Sequence, residues 1–149
     1  MRSVIAANSS LYISKTTCND LSEKPEDDDL VNIACGATGL ELQTEEAEEQ
    51  EETALCDEAP RFKNSFPGRT TGSMPVFYSS KEDSAYEAVR EAFEKGDNRY
   101  IRFELPDGGG EEFIASVSAH SMSVQVKTAI MANVSLKVSG KPRRIKATK

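Results

Sequence analysis

Twenty-five acids, one histidine and three cysteines are the groups that chemistry in this 149-residue chain would have to draw on. His120 is the lone histidine. It lies in a serine-rich run with no cysteine or aspartate at ligand spacing, so neither a metal centre nor a general-base pair is indicated there. Gly108-Gly109-Gly110 has the glycines of a phosphate loop, but a strand pattern follows it and no helix N-terminus is there to meet an anion; the triplet reads as a turn. Glu26-Asp27-Asp28-Asp29 lacks the spacing and closing glutamate of a calcium loop and reads as a solvated turn. No nucleophile has a base at motif spacing. Cys18, Cys35 and Cys56 are odd in number and widely spaced, the pattern of reduced thiols. The chain is expected not to be an enzyme, to have no catalytic or metal-binding residue and to need no cofactor.

The conspicuous chemistry is electrostatic. Glu45, Glu46, Glu48, Glu49, Glu51 and Glu52 fall within ten residues that contain a single apolar side chain, Ala47. Solvent screens such a run, and nothing in it would hold two carboxylates at a fixed separation. Like-charge repulsion without burial predicts disorder there in the isolated chain. The charge is also divided unevenly. Residues 1–60 carry three bases against fifteen acids, a net of −12, whereas residues 61–149 carry fifteen bases against ten acids, a net of +5. Such asymmetry points to a molecule that meets its neighbours, copies of itself included, charge to charge.

These groups must be positioned by a small β-rich body. At 149 residues the chain is read as a single domain, 1–149. Ser80 and Asp83 open a helix over Ser80–Lys95, Tyr86, Val89 and Phe93 form its apolar stripe, and Gly96 ends it. So short a helix needs a sheet beneath its stripe. Alternation supplies one: Ile101 and Phe103, then Phe113, Ala115 and Val117, then Ile130, Ala132, Val134, Leu136 and Val138. Tyr86, Val89, Phe93, Ile101, Phe103, Phe113, Val134 and Leu136 are the expected core. Shorter strands are read at Leu11–Ser14, within Leu30–Leu42, at Thr53–Cys56 and at Thr71–Ser79, where Pro75 argues for an edge or a bulge. Arg61 to Gly68 reads as loop. The fold class is therefore mainly β: an antiparallel sandwich or small barrel with one flanking helix. The acidic run would form the tip of a long hairpin, about 41–56, and Lys141–Lys149 a flexible basic tail. Val4-Ile5-Ala6-Ala7 is far too short for a signal peptide, no stretch approaches a membrane span, and no membrane partner is expected.

An ordered series of residues resembles a known family. Thr53-Ala54-Leu55-Cys56-Asp57-Glu58, Phe66-Pro67-Gly68-Arg69, a helix ending Phe93-Glu94-Lys95-Gly96-Asp97, Tyr100-Ile101-Arg102-Phe103, the Pro106-Asp107-Gly108 turn, Phe113, the strand at Ala129–Val138 and Gly140-Lys141-Pro142 together resemble the major tail tube protein of long, non-contractile-tailed bacteriophages. The resemblance implies hexameric rings that stack into a hollow tube for genome delivery, with DNA passing through the lumen without specific binding. It implies a virion location after assembly in the host cytoplasm, and tape-measure, tail-tip and tail-terminator proteins as partners. The family's hairpin loop orders on reaching the next ring, a role that here falls to the six glutamates. Arg61, Lys63, Arg69, Arg143 and Arg144 are candidates for ring and stack contacts, which as charge pairs would be salt-sensitive. Lining carboxylates are expected to outnumber bases in the lumen. Two other functions fit the residues: an acidic monomeric module that inhibits a basic partner, and a ring protein of a contractile tail or secretion tube.

Overall fold

A computed structural model of the protein describes residues 8–66, 68–81 and 84–146. Their strands are β1 (Ser10–Ser14), β2 (Leu30–Asn32), β3 (Glu41–Thr44), β4 (Glu48–Glu51), β5 (Phe62–Phe66), β6 (Thr70–Phe77), β7 (Arg99–Glu104), β8 (Gly110–Ser123) and β9 (Met131–Ile145), with one helix, α1 (Ala85–Lys95). Seven strands form a sheet in the order β2-β1-β7-β8-β9-β6-β3, while β4 and β5 form a separate ribbon. Every neighbouring pair is antiparallel.

The alternation in β9 dictates its seat. Ala132, Val134 and Leu136 are buried while Asn133, Ser135 and Lys137 are exposed. In β8 the parity changes partway. Phe113, Ala115 and Val117 face the core, but the register slips between Val117 and Ala119, so His120 and Met122 then stand opposite Val134 and Ala132. A bulge of this kind inverts the facing of every residue after it and adds twist. It brings His120 beneath α1, with ring centroids 5.9 Å from Tyr86 and 5.8 Å from Phe93. Helix α1 buries Ala85, Tyr86, Val89 and Ala92 on the sheet, and Phe93 packs half-buried beside them. Ile101, Phe113, Val134 and Leu136 are buried in the same core, with Phe103 half-buried against it. The sheet is curled enough that Leu40 and Leu42, at the β3 edge, line the same cleft of about 630 Å³ as Leu11 and Phe103.

The face of β3, β6, β9 and β8 that points away from α1 has a different composition. Glu41, Ser73, Ser135 and Ala119 form one cross-strand row, Gln43, Thr71, Lys137 and Ser116 the next, and Pro75, Asn133 and Ser121 a third. Small hydroxyl and amide side chains dominate it.

Several expectations are corrected. Helix α1 starts four residues late because Ser84 is the N-cap, its Oγ accepting from the Glu87 N–H at 3.3 Å; Glu82 and Asp83 lie outside the described residues. Its end is as expected, with Gly96 left-handed at φ 64°. The acidic run is not a disordered tip. Glu48–Glu51 are a strand paired with Phe62–Phe66, which gives the repelling side chains a hydrogen-bonded backbone partner, so β5 replaces the expected loop after Arg61. The hairpin's arms are thus residues 41–51 and 62–77 rather than 41–56, and Thr53–Cys56 form its turn instead of a strand. Gly68 sits where a Cβ would collide with the Glu45 carbonyl, so the two arms can cross there. The basic tail is ordered strand as far as Ile145, because Gly110–Glu112 of β8 pairs with Arg143–Ile145; Ala147 to Lys149 lie outside the described residues, as do Pro67 and Val4–Ala7. Pro75 lies within β6 without disrupting it. Its carbonyl, on the side away from β9, accepts from Thr38 N–H at 3.0 Å, so the missing proline donor faces a position β9 never uses.

Candidate assembly surfaces

Four residues bridge the hairpin to the sheet. Thr44 and Thr70 share a hydroxyl contact of 2.9 Å, and Glu45 N–H donates to the Arg69 carbonyl at 2.9 Å. Beyond this root, between Glu45 and Lys63, no described side chain is buried. The expected inter-ring glutamates Glu45, Glu46, Glu49, Glu51 and Glu52 are all exposed, and Glu48 contributes its backbone to β4. The hairpin neutralises part of its own charge. Lys63 Nζ lies 3.9 Å from Glu52, a solvent-facing pair that contributes little to stability, and Arg61 Nε lies 3.7 Å from the half-buried Asp57.

The expected basic contacts therefore divide. Arg61 and Lys63 stand on the hairpin itself, and Arg69 is exposed at its root. Arg144 lines the cleft near Leu11 and Phe103. Arg143 is tied within the chain: its guanidinium grips Glu112, which also accepts from the Tyr100 hydroxyl. Burial pushes the Glu112 carboxyl up, but the Tyr100 and Arg143 hydrogen bonds outweigh it and hold the group below the usual carboxylate value. Burial, reinforced by the same carboxylate, pushes the Tyr100 hydroxyl well above its ordinary range. On the opposite, α1-covered face Arg99 is buried, donating to Asp97 at 2.8 Å and to the Ser14 carbonyl at 3.3 Å. Both clusters fasten β9, β8, β7 and β1 together and leave no free group aimed at a ligand. No trio of acids, histidines or cysteines able to hold a metal occurs among the described residues.

Sequence reasoning missed the exposed apolar residues. Leu55 is 110% exposed at the hairpin turn and Phe62 60% beside it. Among the described residues, Phe77, Tyr78, Met122, Val124 and Val126 are the other large apolar side chains left to solvent, and they gather where β6 ends and β8 turns into β9. The available signal was apolar residues inside otherwise polar connections, such as Val124-Gln125-Val126-Lys127.

No protein-family model and no curated protein matches the sequence. Solved structures do match the fold. The tail of an empty gene transfer agent particle, refined with C6 symmetry, is 15% identical with a TM-score of 0.63, covering 92% of this chain and 96% of its own. The SPP1 tail tube is 10% identical with a TM-score of 0.63, covering 99% and 81%. The six-fold symmetrised baseplate of the anti-feeding prophage is 7% identical with a TM-score of 0.65, covering 100% and 99%. The large antiparallel sheet with its single covering helix is thus the tail tube-like fold.

Proposed function

We propose that this protein is a structural tail subunit that assembles into stacked hexameric rings, forming the hollow tube through which a phage-type genome passes to the host. One observation carries the proposal: a hairpin with no buried described side chain projects from a body whose fold is shared, over nearly its full length, with subunits of tails and tail tubes. Open strand edges at β2 and β3 leave backbone groups for pairing with adjacent copies, and a six-fold rotation closes a ring. A head-to-tail contact between rings does not close, so rings continue into a filament. The role is mechanical, with no cofactor and no catalysis. DNA moves through the lumen without specific binding, and the partners besides self are tape-measure, tail-tip and terminator proteins in the virion. Negative-stain microscopy of concentrated protein tests this: hollow tubes with six-fold end views are expected. A monomer at every concentration, binding only a basic partner, would favour the acidic inhibitor instead. The baseplate likeness favours a second placement, a ring of a contractile or secretion-type apparatus; isolated six-fold rings that never stack would select it.

A further inference from the structure

Resting on that assembly, we infer that rings are held together by an apolar plug and socket, with the charges as a rim. The plug is the hairpin turn of one copy, Leu55 and Phe62; the socket is the β6 end and β8–β9 connection of the next, Phe77, Tyr78, Val124 and Val126. Three features of the molecule converge on this. The first is place. The arms pair β3 with β6 and β4 with β5, so the hairpin leaves the sheet at the Thr70 end of β6, whereas Phe77 is at its other end and lies opposite Met131. Two apolar patches at opposite poles of one subunit form a heterologous pair, the geometry that propagates a stack. The second is exposure. Val124 is 68% and Val126 90% exposed, and Tyr78 donates its backbone N–H to the Ile130 carbonyl at 3.0 Å, which holds the end of β6 beside the β8–β9 connection. Clustered apolar exposure rimmed by polar residues marks a contact face. The third is charge. Glu51, Glu52, Asp57 and Glu58 surround the plug against two bases, Arg61 and Lys63, whereas Lys81 and Lys127 are the charged residues described across 76–81 and 121–131. Mispairing plug with plug sets acid against acid.

The test uses the full chain with Cys35→Ser, keeping Cys56 at the plug, and Val126→Cys in the socket. Oxidation of assembled material is expected to give a ladder of covalent species beyond six copies on a non-reducing gel, and dispersed protein none. Separately, Leu55→Glu and Val126→Glu should each raise the concentration needed for stacking by about tenfold or more, the loss of roughly one buried apolar side chain, with the circular dichroism of the monomer unchanged. Stacks should persist in concentrated salt. Tubes that form normally with both glutamate variants and give no ladder would overturn the plug and socket while leaving the tube itself intact. Wild-type protein that never stacks would overturn both.

Discussion

The sheet body and the projecting hairpin are built on opposite rules. In the body, Val76, Val89, Tyr100, Ala132 and Val134 are fully buried, and backbone pairing and side-chain burial reinforce each other. In the hairpin the ladder continues, Glu49 opposite Asn64 and Glu51 opposite Phe62, but no described side chain between Glu45 and Lys63 is removed from water. A two-stranded ribbon is marginal alone. The body is accounted for by its own packing. In the proposed stack, the hairpin would find its partner surface on an adjacent copy.

Substitutions that separate the two regions sharpen the contrast. Phe113→Ala, beneath α1, should remove about 3–5 kcal/mol from the unfolding free energy measured in urea; a loss under about 1 kcal/mol would show that the helix-covered face is not the chief source of stability. Glu112→Gln breaks the Tyr100–Arg143 clasp and should remove about 2 kcal/mol near neutral pH. The native Glu112 carboxyl titrates below its ordinary value of 4.5. Its contribution is therefore present above that value and lost as pH falls through the native one. The variant should lose less stability than the wild type when both are taken from pH 6 down into that acid range. Ser84→Ala, which deletes the helix cap, should lower stability by about 1 kcal/mol. The smallest effect is expected from the boldest change: replacing the hairpin beyond Thr44 and Thr70 with a tight Asn-Gly turn should shift the unfolding midpoint by no more than about 0.5 kcal/mol equivalent while abolishing stacking. A collapse of the fold after that deletion would erase the distinction between the regions.

How far each region was legible follows the same division. In β9, Ala132, Val134 and Leu136 alternate with polar residues, and burial enforces that pattern, so strand and facing could both be read. Helix α1 was legible at Gly96, where a left-handed turn has few alternatives; at its start Ser80 was read as the cap, whereas Ser84 has the capping-box glutamate, Glu87, three residues on. The β8 bulge left no local mark: Ser116-Val117-Ser118-Ala119-His120 alternates poorly, and the slip comes from pairing with β9. The glutamate run misled because repulsion is local whereas its partner, Phe62–Phe66, lies across the turn. The same holds for Lys141–Ile145, which has no strand pattern and is extended because β8 reaches it. Leu55 was read into a strand at Thr53–Cys56 and Val126 was passed over as a single apolar residue in a polar connection, since their significance is in being left out of a core rather than in any spacing.

The rows that face away from α1, Ser73-Ser135, Thr71-Ser116 and Asn133-Ser121, have a mechanical consequence in the proposed tube. A polyanion adheres where lysine and arginine displace its counterions; there, Lys137 and Glu41 are one charge of each sign in separate rows, and the remaining groups trade hydrogen bonds with water as readily as with phosphate. Placing lysine at Ser121 and Ser135 should slow genome exit, and unchanged ejection kinetics would show that this surface never meets the DNA. In that tube such a wall would keep its hydration film and give a moving duplex nothing to grip, so low friction would come from the plainness of its side chains.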